Sequence, residues 1–96
     1  MVALYLSLID KQEEKNRFEE LYYRYRNLMY YIAYQVLHQD RDSEDAVQEA
    51  FFRIAKNMDK VKDIASTETK NFVAIITKSS SLFFFLSYIF MASRFV

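Results

Sequence analysis

The chain contains no glycine, no proline, no cysteine and no tryptophan. Average usage of about 7% glycine and 5% proline would place roughly a dozen of these two among 96 residues. Without glycine there is no ready residue for a left-handed turn, a bulge or a phosphate-cradling loop, and without proline no fixed helix breaker. Hairpins and a Rossmann-type loop are therefore excluded, and an all-α fold is predicted. Without cysteine there is neither a disulfide framework nor a thiolate metal site. An excess of charge of either sign is missing as well. Thirteen acids balance thirteen lysines and arginines, and all but Arg94 are interspersed from Asp10 to Lys78. No basic stripe stands ready for phosphate, so a free-standing nucleic-acid binder is disfavoured.

The chemistry of an enzyme is missing too. The single histidine, His38, has no neighbouring ligand set, and Asp40 and Asp42 lack the glycine and spacing of a calcium loop. No nucleophile–base pair is apparent. Asp45 and Glu49 lie four apart on one helix face, which reads as a solvated face rather than an acid/base couple. The expectation is no catalysis, no cofactor, no metal and no small-molecule substrate. The opening M-V-A-L-Y-L-S-L-I-D has no basic n-region and no small-residue cleavage site, unlike a secretory signal, so a cytoplasmic location is expected.

What is present is helical periodicity. Ala3 to Ile9 is a short apolar run, read as a helical turn or two packed on the rest. Asp10 with Glu13 three residues on forms a capping-box pattern opening a long helix to about His38. Its apolar stripe includes Phe18, Leu21, Tyr25, Met29 and Ala33 at three-four spacing. Six tyrosines lie along it, and some of them are expected at the stripe's edge, burying a ring while the hydroxyl reaches water. Gln39 to Asp42 forms a polar break, with Asp42 or Ser43 as the next cap. Met58, Val61 and Ile64 suggest a short helical or 3₁₀ piece, and Ser66 or Thr67 caps a further helix with Phe72, Val73 and Ile76 inward. The prediction is a small bundle of three main helices plus a short N-terminal one.

The most informative stretch is Ser43 to Asn57. At about 100° per residue, Ala46, Val47, Ala50, Phe51, Ile54 and Met58 gather on one side as a core stripe. Asp45, Gln48, Glu49, Phe52, Arg53 and Lys56 gather on the other. Phe52 is the aromatic among charges and amides, the composition of a protein-binding anchor inside a polar rim. The plainer alternatives are a stray surface aromatic and a supportive Glu49–Arg53 helix pair.

The segment F-E-E-L-Y-Y-R-Y-R-N-L-M-Y-Y-I-A-Y-Q-V-L (Phe18 to Leu37), a polar break, and E-D-A-V-Q-E-A-F-F-R-I (Glu44 to Ile54) together resemble region 2 of bacterial RNA polymerase sigma factors, closest to the extracytoplasmic-function type. The resemblance covers Ala3 to Lys78. It implies a transcription-initiation module whose Ser43–Asn57 helix grips the clamp helices of the large subunit of core RNA polymerase. Asp45, Gln48 and Glu49 match the family's polar polymerase contacts, and Phe52 joins them by periodicity rather than by the motif. It also implies promoter DNA as a partner only in complex with polymerase, and an anti-sigma factor as a further one.

Beyond Lys78 the likeness stops. Intact relatives continue with an asparagine and a basic, aromatic helix that captures the melted bases of the −10 element. Here Ser79 and a phenylalanine-rich run follow, with Arg94 as the sole charge, and the chain reaches Val96 without a −35-reading helix-turn-helix. Residues 1–78 are accordingly read as the helical domain and 79–96 as an atypical hydrophobic tail, the mark of a truncation or frame change. No nucleic-acid-binding residue is assigned. The alternative reading is a small helical interaction scaffold or regulator, associated with a membrane through its tail and without DNA-binding activity.

Overall fold

A computed structural model describes residues 2–93. In chain order it contains α1 (Val2–Leu6), α2 (Gln12–Leu37), α3 (Asp40–Ala55), a 3₁₀ turn (Met58–Lys60) and α4 (Thr67–Ser93). There is no strand among the described residues. The three long helices each pack against the other two, and α1 lies across α2 and α3. The all-α bundle of three main helices with a short N-terminal one is the architecture found.

Periodicity and burial agree closely where the helices meet. Phe18, Leu21, Met29 and Ala33 of α2 are buried, as are Ala46, Ala50, Phe51 and Ile54 of α3 and Val73 of α4. Met58, Val61 and Ile64 from the α3–α4 connection complete the core. An aromatic cluster closes one end. Tyr5 lies 5.7 Å from Phe18 and 5.5 Å from Phe51, centroid to centroid, and Tyr22 lies 4.8 Å from Phe51.

The helix ends correct the sequence reading. Lys11, not Asp10, stands at the start of α2 and makes no side-chain cap, so the Asp10–Glu13 box does not form. α3 begins at Asp40, so the polar break is shorter than predicted. Ser43 is buried inside α3, and its Oγ donates to the Gln39 carbonyl at 2.6 Å instead of capping. The turn is made by His38, which takes the left-handed conformation at φ 57° while its N–H donates to the Tyr34 carbonyl. With no glycine in the chain, a histidine occupies a position that usually falls to one. At α4 the expectation holds: Ser66 Oγ accepts the Thr69 N–H at 3.1 Å. Tyr25 lies in the predicted inward stripe and is buried, and its hydroxyl donates to the Ile64 carbonyl at 2.9 Å, tying α2 to the α3–α4 connection.

α4 continues unbroken through Ser79 to Ser93, so Lys78 marks no break in secondary structure. At 27 residues it is about 40 Å long, within a molecule measuring 50 × 25 × 20 Å. Its buried stripe runs Thr69, Val73, Ile76, Thr77, Ser80, Ser81. The hydroxyls in that stripe are satisfied locally: Thr77 donates to the Val73 carbonyl and Ser81 to that of Thr77. From Leu82 onward none of the described side chains is fully buried.

Candidate functional site

The outward side of α3 is set by the depth of its inward side. With Ala46, Ala50 and Ile54 fully buried, residues about 100–180° around the helix must face away from the core. Asp45 and Glu49 are exposed there, and Gln48 is half-buried beside them. Lys56 is exposed at the C-terminal end. The two carboxylates and the amide share one rim of α3.

Phe52 is placed differently from the open anchor that periodicity suggests. It is half-buried and packs on the core, with its ring edge-on to Tyr5 at 5.0 Å. The physical reason is α1, which covers that side of α3 through Tyr5. Arg53 is placed differently too. Its Nη1 donates to Ser80 Oγ at 3.1 Å and to Ser79 Oγ at 3.3 Å. It therefore bridges α3 to α4 instead of serving only as the i+4 partner of Glu49. Glu49, Arg53, Ser79, Ser80 and Phe83 line a groove of about 240 Å³.

On the other flank, Gln48 and Glu44, one helical turn apart, line a groove of about 400 Å³ shared with α2. Its floor is aromatic, from Tyr5, Tyr22 and Phe51, and its α2 wall carries Arg26, Asn27 and Tyr30. The Arg26 guanidinium lies 5.9 Å from the Tyr22 ring and 5.3 Å from that of Tyr23. The Tyr30 hydroxyl donates to Asp40 Oδ1 at 2.5 Å, and this bond holds the Tyr30 proton up to about pH 12, with Glu44 among the lesser contributors. These α2 residues escaped the sequence reading. Glu44 could have been added, since it sits four before Gln48, but which α2 side chains face it depends on how the two helices cross.

Among the described residues no group of three or more His, Cys, Asp and Glu could hold a metal ion. What the arrangement offers is hydrogen-bond acceptors, negative charge and an amide on a rigid helix, which suits recognition of another macromolecule.

The sigma-70 region 2 family model matches residues 21–85. That is more than half of the chain, and the chain belongs to this family of transcription-factor modules. The matched span takes in all of α3, with Asp45, Gln48, Glu49 and Phe52, and continues into α4 as far as Phe85. No curated protein and no solved structure matches the chain.

Proposed function

We propose that this chain is a transcription-initiation module of the extracytoplasmic-function type that docks on core RNA polymerase through the outward rim of α3. The observation that carries the reading is the exposure of Asp45 and Glu49 beside the half-buried Gln48, within the span that matches sigma-70 region 2. Gln48 and the two carboxylates make the polar contacts with the clamp helices of the large subunit, and the exposed edge of Phe52 completes the patch. The setting is the cytoplasm. Promoter DNA is engaged only in the polymerase complex, because the chain is neutral overall and the enzyme supplies the positive channel. An anti-sigma factor is a further partner of this reading. No catalytic step is assigned to it.

The test is retention on immobilised core polymerase. Combining Asp45→Ala, Gln48→Ala and Glu49→Ala should lower affinity at least tenfold, or about 1.4 kcal/mol, with helix content and unfolding midpoint unchanged. Equal retention of variant and wild type would remove this interface. A companion gel shift should show a promoter fragment retarded only when polymerase is present.

A further inference from the structure

We infer that the distal half of α4, from Leu82 onward, is a membrane-inserting segment whose partner is the hydrocarbon of a lipid bilayer. Three observations converge. The bundle covers α4 along one stripe that ends at Ser81, yet the helix continues to Ser93. Beyond that point Leu82, Phe83, Phe85, Leu86, Tyr88 and Met91 are between 40% and 69% exposed. At about 100° per residue these six leave no angular gap wider than about 80°.

That distribution selects the partner. A helix seated in a protein groove, or paired with one second copy, buries a single face, and its remaining side stays polar. Here the apolar surface runs around the whole circumference, which requires a medium that surrounds the helix. Among the described residues Thr67–Ala92 is long and apolar enough to cross a membrane by length and composition alone, but its first half is packed in the bundle, so only the part beyond Ser81 can enter lipid.

The charges fit the same geometry. Residues 79–93 carry none, between Lys78 and Arg94 in the sequence. Ser80 and Ser81 are buried in the bundle, so the part that enters lipid is residues 82–93, about 18 Å of helix. That is enough to enter one leaflet of a hydrocarbon core of about 30 Å without crossing it. Lys78 is exposed where α4 leaves the bundle, and Arg53 is held at the same level by Ser79 and Ser80. Both cations stand where lipid phosphates would lie, with Glu49 the one carboxylate lining that groove. The bundle then rests at the surface. The backbone groups of the inserted part are paired within the helix up to its last turn, as hydrocarbon demands.

This inference is independent of polymerase binding and is tested on the full chain without polymerase. The purified protein is mixed with neutral phosphatidylcholine vesicles and floated through a density gradient at 1 M salt. Wild type should rise with the vesicles. The Leu86→Glu, Met91→Glu double variant, altered only at exposed positions, should partition at least about a hundredfold more weakly, with the unfolding midpoint of the bundle unchanged. Because the chain has no tryptophan, Tyr88→Trp supplies a single reporter. Its emission should shift to the blue on adding vesicles and be quenched by brominated acyl chains. Wild type staying at the bottom of the gradient overturns the inference. So does binding that needs anionic lipid and vanishes in high salt. A discrete oligomer that vesicles fail to disperse overturns it as well, since the segments would then be covering one another.

Discussion

The ring of Phe52 stands edge-on to Tyr5 with 5.0 Å between centroids, so the aromatic on the outer side of α3 is held in place by the N-terminal helix. Tyr5 is almost fully buried and also contacts Phe18, Tyr22 and Phe51. Tyr5→Ala should therefore cost about 3–5 kcal/mol, the range for deleting a buried aromatic, measured by urea unfolding. Tyr5→Phe keeps the ring and should cost far less. Should Tyr5→Ala prove neutral, α1 is not part of the folded core and Phe52 is freer than its position indicates.

His38 is the one described non-glycine residue at positive φ. An L-residue there carries a steric cost of about 1–2 kcal/mol that glycine escapes, partly offset by the greater freedom of glycine in the unfolded chain. His38→Gly should raise stability by about 0.5–1 kcal/mol, and His38→Val should lower it. A loss of stability with glycine would mean that the imidazole, whose ring lies 6.1 Å from that of Tyr34, contributes more than the backbone relaxation.

Arg53 distinguishes a local reading from a tertiary one. If its main partners are Ser79 and Ser80 of α4, a double-mutant cycle between Arg53→Met and Ser80→Ala should give a coupling of about 1 kcal/mol. The cycle between Arg53→Met and Glu49→Gln should stay within the few tenths of a surface helix pair. The reverse ranking would show the guanidinium turned toward Glu49 in solution.

Alkali should loosen the bundle through two phenols. Burial pushes the Tyr5 hydroxyl up to about 12, with Tyr22 adding to the effect. The bond to Asp40 holds Tyr30 at about 12 as well. Unfolded tyrosine titrates near 10, so the folded chain binds these protons more tightly. Their stabilisation is complete below pH 10 and is lost as the pH rises from 10 toward 12. Urea midpoints should fall across that window, and Tyr5→Phe with Tyr30→Phe should flatten the decline. An unchanged slope in the double variant would assign the alkaline loss to other groups.

Much of this architecture was legible in order along the chain. The absence of glycine and proline left little material for hairpins and bulges and pointed to helices, although His38 supplies a left-handed turn without glycine. The three-four spacing of Phe18, Leu21, Tyr25 and Met29, and of Ala46, Ala50 and Ile54, identified the inward faces. The E-D-A-V-Q-E-A-F run pointed to the family whose model matches residues 21–85. Boundaries were less readable. Asp10 and Ser43 look like caps because their side chains can cap, but Ser43 instead donates to the carbonyl of Gln39, four residues back, and no local rule chooses between the two uses. The phenylalanine-rich run shows no helical stripe, and it is helical because α4 enters it already formed.

The sequence by itself determined how many helices there are and which side of each faces the bundle, because these follow from spacing within a single element, while the family was legible only as a resemblance carried by two helices and the break between them. Only the tertiary structure decided that Phe52 lies under Tyr5, that Arg53 reaches α4, that Gln48 shares a groove with Arg26 and Tyr30, and that the cover over α4 ends at Ser81. Periodicity fixes the direction of a side chain about its own axis. What it meets in that direction depends on how helices far apart in the chain cross, and on where each one runs out.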